Sequence, residues 1–163
     1  TLQPMFSNIN TDNADLGKLR DLGRKMVMFV GLADDAIPPA GMLYYYNQVA
    51  AGMGGDAEVQ KFLRLYTAAG SAHSSQGRAY TVSGNNTAVP LTKLPGNANQ
   101  TPTREQDQLF TALVDWGEKG VAPGEITSTS RDNSGSYPMC VYPKKTTWNG
   151  TGPAKSASSY VCK

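Results

Sequence analysis

Lys25-Met26-Val27-Met28-Phe29-Val30-Gly31-Leu32-Ala33-Asp34-Asp35-Ala36-Ile37-Pro38-Pro39 is the stretch on which the fold of this chain turns. Met26–Val30 is apolar on both alternating faces, the pattern of a strand buried on two sides in a parallel sheet. A loop with two acids follows. Pro38 and Pro39 then open a helix predicted from Ala40 to Ala51, because a first turn has no partner for the N–H that proline lacks. Met42, Leu43, Tyr46, Val49 and Ala50 fall at helical spacing and give that helix one apolar face. Gly52, Gly54 and Gly55 stop it. Strand, acid-bearing loop and helix together read as the first half of a crossover unit.

Working outward, Asn13–Gly23 predicts a short helix on Leu16, Leu19 and Leu22, with Asp12 or Asn13 as cap and Gly23 as stop. Downstream, Val59–Tyr66 predicts a second strand centred on Phe62 and Leu63. The chain's single histidine, His73, follows in Ala69-Gly70-Ser71-Ala72-His73-Ser74. Residues 74–103 are rich in Gly, Asn, Thr and Pro and show no period, an uncommon length of patternless chain for a compact domain. Thr103-Arg104-Glu105-Gln106 offers a capping box for a helix whose apolar face is Leu109, Phe110, Leu113, Val114 and Trp116. Gly117 or Gly120 ends it. Residues 124–163 read as a turn-rich tail with Tyr137, Tyr142, Trp148 and Tyr160. The order of elements implies an α/β fold with a mostly parallel sheet and flanking helices. Two strands make no stable sheet alone, so the chain reads as the closing edge of a larger one. The expectation that follows is a chain that aggregates or needs a partner when isolated.

Composition narrows the classes. The chain has 163 residues, 39% of them hydrophobic and 17% charged, with 15 basic and 13 acidic side chains and a net charge of +2. That balance, without basic clusters among aromatics, gives no reason to invoke nucleic acid. No apolar run is long enough for a membrane-spanning helix. Cys140 and Cys162 flank the tail, and a disulfide between them would contribute roughly 3 kcal/mol by chain entropy. It would imply a secreted or periplasmic location. Two free thiols in a reducing compartment remain the alternative. Asn85-Asn86-Thr87, Asn99-Gln100-Thr101 and Asn149-Gly150-Thr151 are glycosylation sequons, but such triplets arise by chance in Asn- and Thr-rich chains.

Asp34 and His73, each just past a strand, match the second and third members of the Ser, Asp, His chain order of an α/β hydrolase. Parallel neighbouring strands would bring both loops to one carboxyl edge. Asp34 would accept from His73 Nδ1, leaving Nε2 for a nucleophile. A carboxylate after a strand is more often a turn former or cap, and a lone histidine more often structural. Their joint occurrence in this order carries the reading. No Gly-x-Ser-x-Gly elbow is present, and Ser71, Ser74 and Ser75 are too near His73 to serve. One histidine and two distant cysteines make no zinc site of the usual kind. Asp34-Asp35 is not a glycosidase pair, since adjacent turn residues point apart. Gly52-Met53-Gly54-Gly55 lacks the Lys-Ser/Thr of a phosphate loop. In Tyr44-Tyr45-Tyr46 at least one ring must face the core and another solvent.

These residues, taken in order, resemble the C-terminal part of the tannase and feruloyl esterase family. The resemblance begins at Leu16-Gly17-Lys18-Leu19-Arg20-Asp21 and continues through Gly31-x-Ala33-Asp34-x-x-Ile37-x-Pro39. It takes in Phe62-Leu63-Arg64-Leu65-Tyr66, Gly70-x-x-His73, and Leu113-Val114-Asp115-Trp116-x-Glu118-x-Gly120-x-Ala122-Pro123. It ends with Pro138-Met139-Cys140-Val141-Tyr142-Pro143 and Ser159-Tyr160-Val161-Cys162. It implies an α/β-hydrolase-type domain of which residues 1–163 are the C-terminal portion, with Asp34 as triad acid and His73 as base. Cys140 and Cys162 resemble the family's C-terminal disulfide pair. The implied activity is hydrolysis of carboxylic esters, often of hydroxybenzoic, gallic or hydroxycinnamic acids. The implied partners are such an aromatic-acid ester and the remaining N-terminal part of the same protein. The family's calcium site belongs to a lid that this chain lacks, so no cofactor is expected within it. Two features depart from the family. Ser74 stands where a cysteine usually follows the histidine and bridges to one beside the nucleophile, and Ser71 and Ala72 replace glycines. These departures motivate a second reading, a non-catalytic relative that binds or assembles. A third, a small aromatic-rich module for carbohydrate or polyphenol, rests on Trp148 and the tail tyrosines.

Overall fold

Met26–Gly31 (β1) and Leu63–Ala68 (β2) run parallel, with Met26 opposite Leu63 and Gly31 opposite Ala68. The structure, a computed structural model, describes residues 11–71, 73, 108–129 and 135–163. Side chains alternate across this pair and feed two cores. Met26, Met28 and Val30 of β1, with Leu63 and Leu65 of β2, face helices Pro39–Gly52 (α2) and Asp56–Val59 (α3) through Tyr46, Val49, Ala50 and Val59. Val27 and Phe29, with Tyr66 and Ala68, face Leu109 of helix Gln108–Lys119 (α4) and strand residues Met139 and Val141. The doubly apolar reading of Met26–Val30 is thereby explained, because each face covers its own core. Each large side chain fully withdrawn from water contributes about 1.5–3 kcal/mol.

Trp116, 3% exposed, fixes α4 to this second face. Lys25 Nζ lies 5.3 Å and the Arg64 guanidinium carbon 5.6 Å from its ring centroid. Both approaches are within cation–π range. Lys25 also donates to the Lys61 carbonyl at 3.0 Å, tying the start of β1 to the entry of β2.

Two elements differ from expectation in extent. The first helix covers only Gly17–Asp21 (α1). Ahead of it, Asn13 and Asp15 spend their side chains on turns, accepting from the N–H groups of Asp15 and Gly17 at 3.0 and 2.8 Å. Asx turns of this kind compete with helix. The second strand begins at Leu63 rather than Val59, since Asp56–Val59 is a helical turn. Val59, which closes that turn, and Phe62, at the entry to the strand, are both buried, so the apolar run continues across two different elements. The capping box at Thr103–Gln106 and the 74–103 segment lie outside the described residues. From Gln108 onward the last helix runs to Lys119, and Gly120 follows with φ 71°. A left-handed residue there is the common helix stop.

The tail is the larger difference. Among the described residues it carries four strands: Ile126–Thr129 (β3), Ser136–Val141 (β4), Thr146–Trp148 (β5) and Tyr160–Cys162 (β6). β4 joins β2 antiparallel through Tyr66 opposite Val141 and Thr67 opposite Cys140, and β3 continues beyond it, giving the order β1-β2-β4-β3. The α/β architecture with flanking helices stands, and within the described residues its sheet is mixed because the tail folds back onto β2. Pro138 within β4 argues against a strand on pattern alone. It is accommodated because β2 pairs only with Cys140 and Val141, leaving β4 a partner on one side at Pro138. β5 and β6 form a separate two-stranded ribbon. The Cys140–Cys162 disulfide, with Cα atoms 5.5 Å apart, staples that ribbon to β4. Thr146 Oγ1 adds a bond to the Pro138 carbonyl at 2.8 Å.

The tyrosine triplet divides as its helical spacing requires. Tyr46 is buried and meets the Tyr142 ring edge-on at 5.3 Å, Tyr44 is exposed, and Tyr45 donates its hydroxyl to the Asn13 carbonyl at 3.0 Å.

Candidate active site

Because β1 and β2 are parallel, the loops leaving them emerge at the same edge of the sheet. Asp34 lies on the first loop and His73 on the second. His73 Nδ1 sits 3.2 Å from Asp34 Oδ1 and 3.1 Å from Oδ2. The carboxylate does not depend on the histidine for its orientation. Oδ1 also accepts from the N–H groups of Ala36 at 3.0 Å and Ile37 at 2.8 Å. These are the turn-forming bonds expected of an acid in such a loop, and the same carboxylate makes the contact with His73.

Donation from the Ile37 N–H is the largest of the effects that hold the Asp34 carboxyl below its ordinary range, and the bonds from His73 and Ala36 reinforce it. Partial burial pushes the other way and is outweighed. An ionised carboxylate on Nδ1 requires that ring nitrogen to carry a proton, which leaves Nε2, on the far side of the ring, free to accept one. The Asp34 side chain is 14% exposed and that of His73 52%. The pair therefore has a sheltered anchor and an open working end.

The two loops are also joined through their backbones. Leu32 N–H donates to the Ala68 carbonyl at 3.0 Å and Ala33 N–H to the Ser71 carbonyl at 2.9 Å. Ser71 is fully buried, and its hydroxyl has no hydrogen-bond partner among the described residues. Sequence reasoning placed Asp34, His73 and the cysteines. The contact of Ser71 with Gly31 lay beyond it, its only sequence signal being a glycine between a strand and an acid. A cavity of about 490 Å³ between α3 and the tail, bordered by Gln60, Arg64, Glu125 and Lys144, shares no residue with these loops. Among the described residues no three His, Cys, Asp or Glu gather to hold a metal ion, and no helix is long and apolar enough to cross a membrane.

A sheet with flanking helices that carries a pinned carboxylate on one edge loop and a histidine on the next is of the α/β-hydrolase fold. The chain belongs to the tannase and feruloyl esterase family, whose model matches residues 1–163. An uncharacterized esterase of Xanthomonas campestris pv. campestris is 28% identical over 178 residues, spanning 98% of this chain and 29% of that protein. A probable feruloyl esterase of Arthroderma benhamiae is 33% identical over 155 residues, spanning 92% of this chain and 25% of that protein. In fold, the crystal structure of feruloyl esterase B from Aspergillus oryzae superposes with a TM-score of 0.77 at 24% identity, over 93% of this chain and 29% of that one. The chain thus spans less than a third of the length of the relatives it matches.

Proposed function

We propose that this chain supplies the acid and base of a serine carboxylic ester hydrolase, with the nucleophile and the oxyanion donors contributed by the remaining N-terminal part of the same protein. The observation that carries the reading is the Asp34–His73 contact, made to a carboxylate already pinned by two backbone N–H groups. β1 stands at the end of the described sheet with a pairing partner on one side only, which is where further strands would join.

The chemistry follows from the geometry. His73 Nε2 accepts the proton of a serine hydroxyl as its oxygen attacks the ester carbonyl. Asp34 holds the ring in the required tautomer and stabilises the imidazolium that forms. The same proton passes to the departing alkoxide as the acyl–oxygen bond breaks, leaving an acyl-enzyme and an alcohol. A water molecule then gives its proton to Nε2, attacks the acyl carbon and releases the acid, with the proton returned to the serine. The steps proposed for this chain use side chains alone and no cofactor. Esters of aromatic, phenolic acids are the proposed substrates, supported by the names of the relatives. The Cys140–Cys162 bond supports a secreted or periplasmic location. Neither nucleic acid nor membrane enters the reading.

The test uses the full-length protein assayed on methyl esters of hydroxycinnamic and hydroxybenzoic acids. Asp34→Asn and His73→Ala should each lower kcat by about 10³-fold or more. Near-normal turnover in either variant refutes the assignment. The 163-residue chain alone should not turn over, and hydrolysis by it would place the nucleophile within it. A folded full-length protein inert on all such esters would favour the non-catalytic relative.

A further inference from the structure

Gly31 is the last residue of β1, and its φ lies outside the left-handed region, so backbone conformation does not demand a glycine there. Space does. A Cβ at Gly31 would run into the Ser71 carbonyl oxygen, and would stand 2.9 Å from the carbonyl carbon and 3.2 Å from the Ser71 Cβ. Contacts that short against backbone cannot be relieved by turning a side chain. The Ser71 oxygen is held where it is from the other side by the Ala33 N–H, at 2.9 Å. The Ser71 N–H in turn donates to the Ala68 carbonyl at 3.3 Å, which curls the second loop over the end of β2. Both Gly31 and Ser71 are buried.

Asp34 follows Gly31 by three residues and His73 follows Ser71 by two, so this backbone seat is the nearest fixed point to both working side chains. No covalent brace shares the task, because the chain's two cysteines are bonded to each other in the tail. We propose that Gly31 is a positioning residue: the absence of its side chain admits the Ser71 carbonyl, and that seat sets the distance between Asp34 and His73. The inference rests on the acid–base reading above. Clearing a Cβ from the Ser71 carbonyl would part the two loops by roughly an ångström, a displacement that can cost about a hundredfold in rate.

The experiment is a double-mutant cycle in the full-length protein, with Gly31→Ala, Asp34→Asn and the double variant assayed on a methyl hydroxycinnamate. Gly31→Ala should lower kcat about 10²-fold and change KM by no more than about twofold, because only alignment of the pair is lost. In the Asp34→Asn background the same change should cost less than about threefold, since no carboxylate remains to align. Losses that simply add would show that Gly31 acts on the fold at large and would overturn the inference. An unimpaired Gly31→Ala beside an impaired Asp34→Asn would also overturn it, while leaving the acid role intact. A fully active Asp34→Asn would remove the acid–base reading itself, and the inference with it. Amide hydrogen exchange of the unsubstituted protein decides the matter if Gly31→Ala does not fold. The Ala33 N–H should be protected, and exchange at the rate of an open loop would overturn the seat.

Discussion

Tyr66→Phe removes one oxygen from the middle of the protein, and the structure says at which pH that helps. The Tyr66 ring is 0% exposed, and its hydroxyl donates to the Gly124 carbonyl at 2.6 Å, joining β2 to the segment that follows α4. Burial raises its pKa from 10.0 to about 12, and nearby Arg64 offsets only part of that. At neutral pH the variant loses a single hydrogen bond, and Gly124 is exposed enough for water to take the place of the phenol, so the expected cost is about 1 kcal/mol. In alkali the sign reverses. A phenol whose folded pKa exceeds its unfolded value keeps its proton longer in the native state, so the stability it confers is complete below pH 10 and falls between 10 and 12. The loss is about 1 kcal/mol by pH 11 and about 3 kcal/mol well beyond 12. Phenylalanine has no proton to lose. The stability curves of the two proteins should therefore cross between about pH 10.5 and 11. Urea unfolding followed by tryptophan fluorescence, from pH 8 to 11.5 in half-unit steps, resolves the crossing. Other tyrosines and the lysines titrate in both proteins and cancel in the difference. A difference that stays constant over that range would refute the premise that this hydroxyl is held neutral by burial.

The Cys140–Cys162 bond closes 22 residues, and reducing it should lower stability by about 3 kcal/mol on the chain-entropy estimate. An unchanged urea midpoint in the presence of reductant would show that β6 is held by other contacts. Trp116→Leu should cost about 3 kcal/mol, because the packing of α4 and both cation contacts go together. Trp116→Phe should recover part of that, and a leucine variant within about 0.5 kcal/mol of the parent would deny the ring its anchoring role.

What was legible in the sequence was what short-range pattern can encode. Met26–Val30 is apolar on alternate residues both ways, and α2 announces itself by Pro38-Pro39 and a helical stripe. Asp34 and His73 stood out because each follows an apolar run and no second histidine competed. The two cysteines allowed one intramolecular pairing. The start of β2 was misplaced because Val59 and Phe62 point inward for different reasons, one from a helical turn and one from the approach to the strand. The tail strands escaped because β3, β5 and β6 are short, because Ser and Thr hydroxyls in them read as turn, and because Pro138 in β4 is a strand breaker except where one side goes unpaired. The seat at Gly31 was invisible for another reason. A missing side chain has meaning only against the atom that takes its space, and that atom belongs to Ser71, on the other side of the crossover.

The ladder between β1 and β2 does not stop where the strands do. It runs on through Leu32 to Ala68 and Ala33 to Ser71, so that Asp34 and His73 are measured off from one ruler. Insertions and deletions therefore divide into two kinds. One residue gained between Gly31 and Asp34, or between Ala68 and His73, moves a functional side chain off its mark by a full peptide unit. A change of any length after His73 starts beyond the last graduation. In this chain the stretch between His73 and α4 begins past that point, so the ruler itself sets no limit on its length.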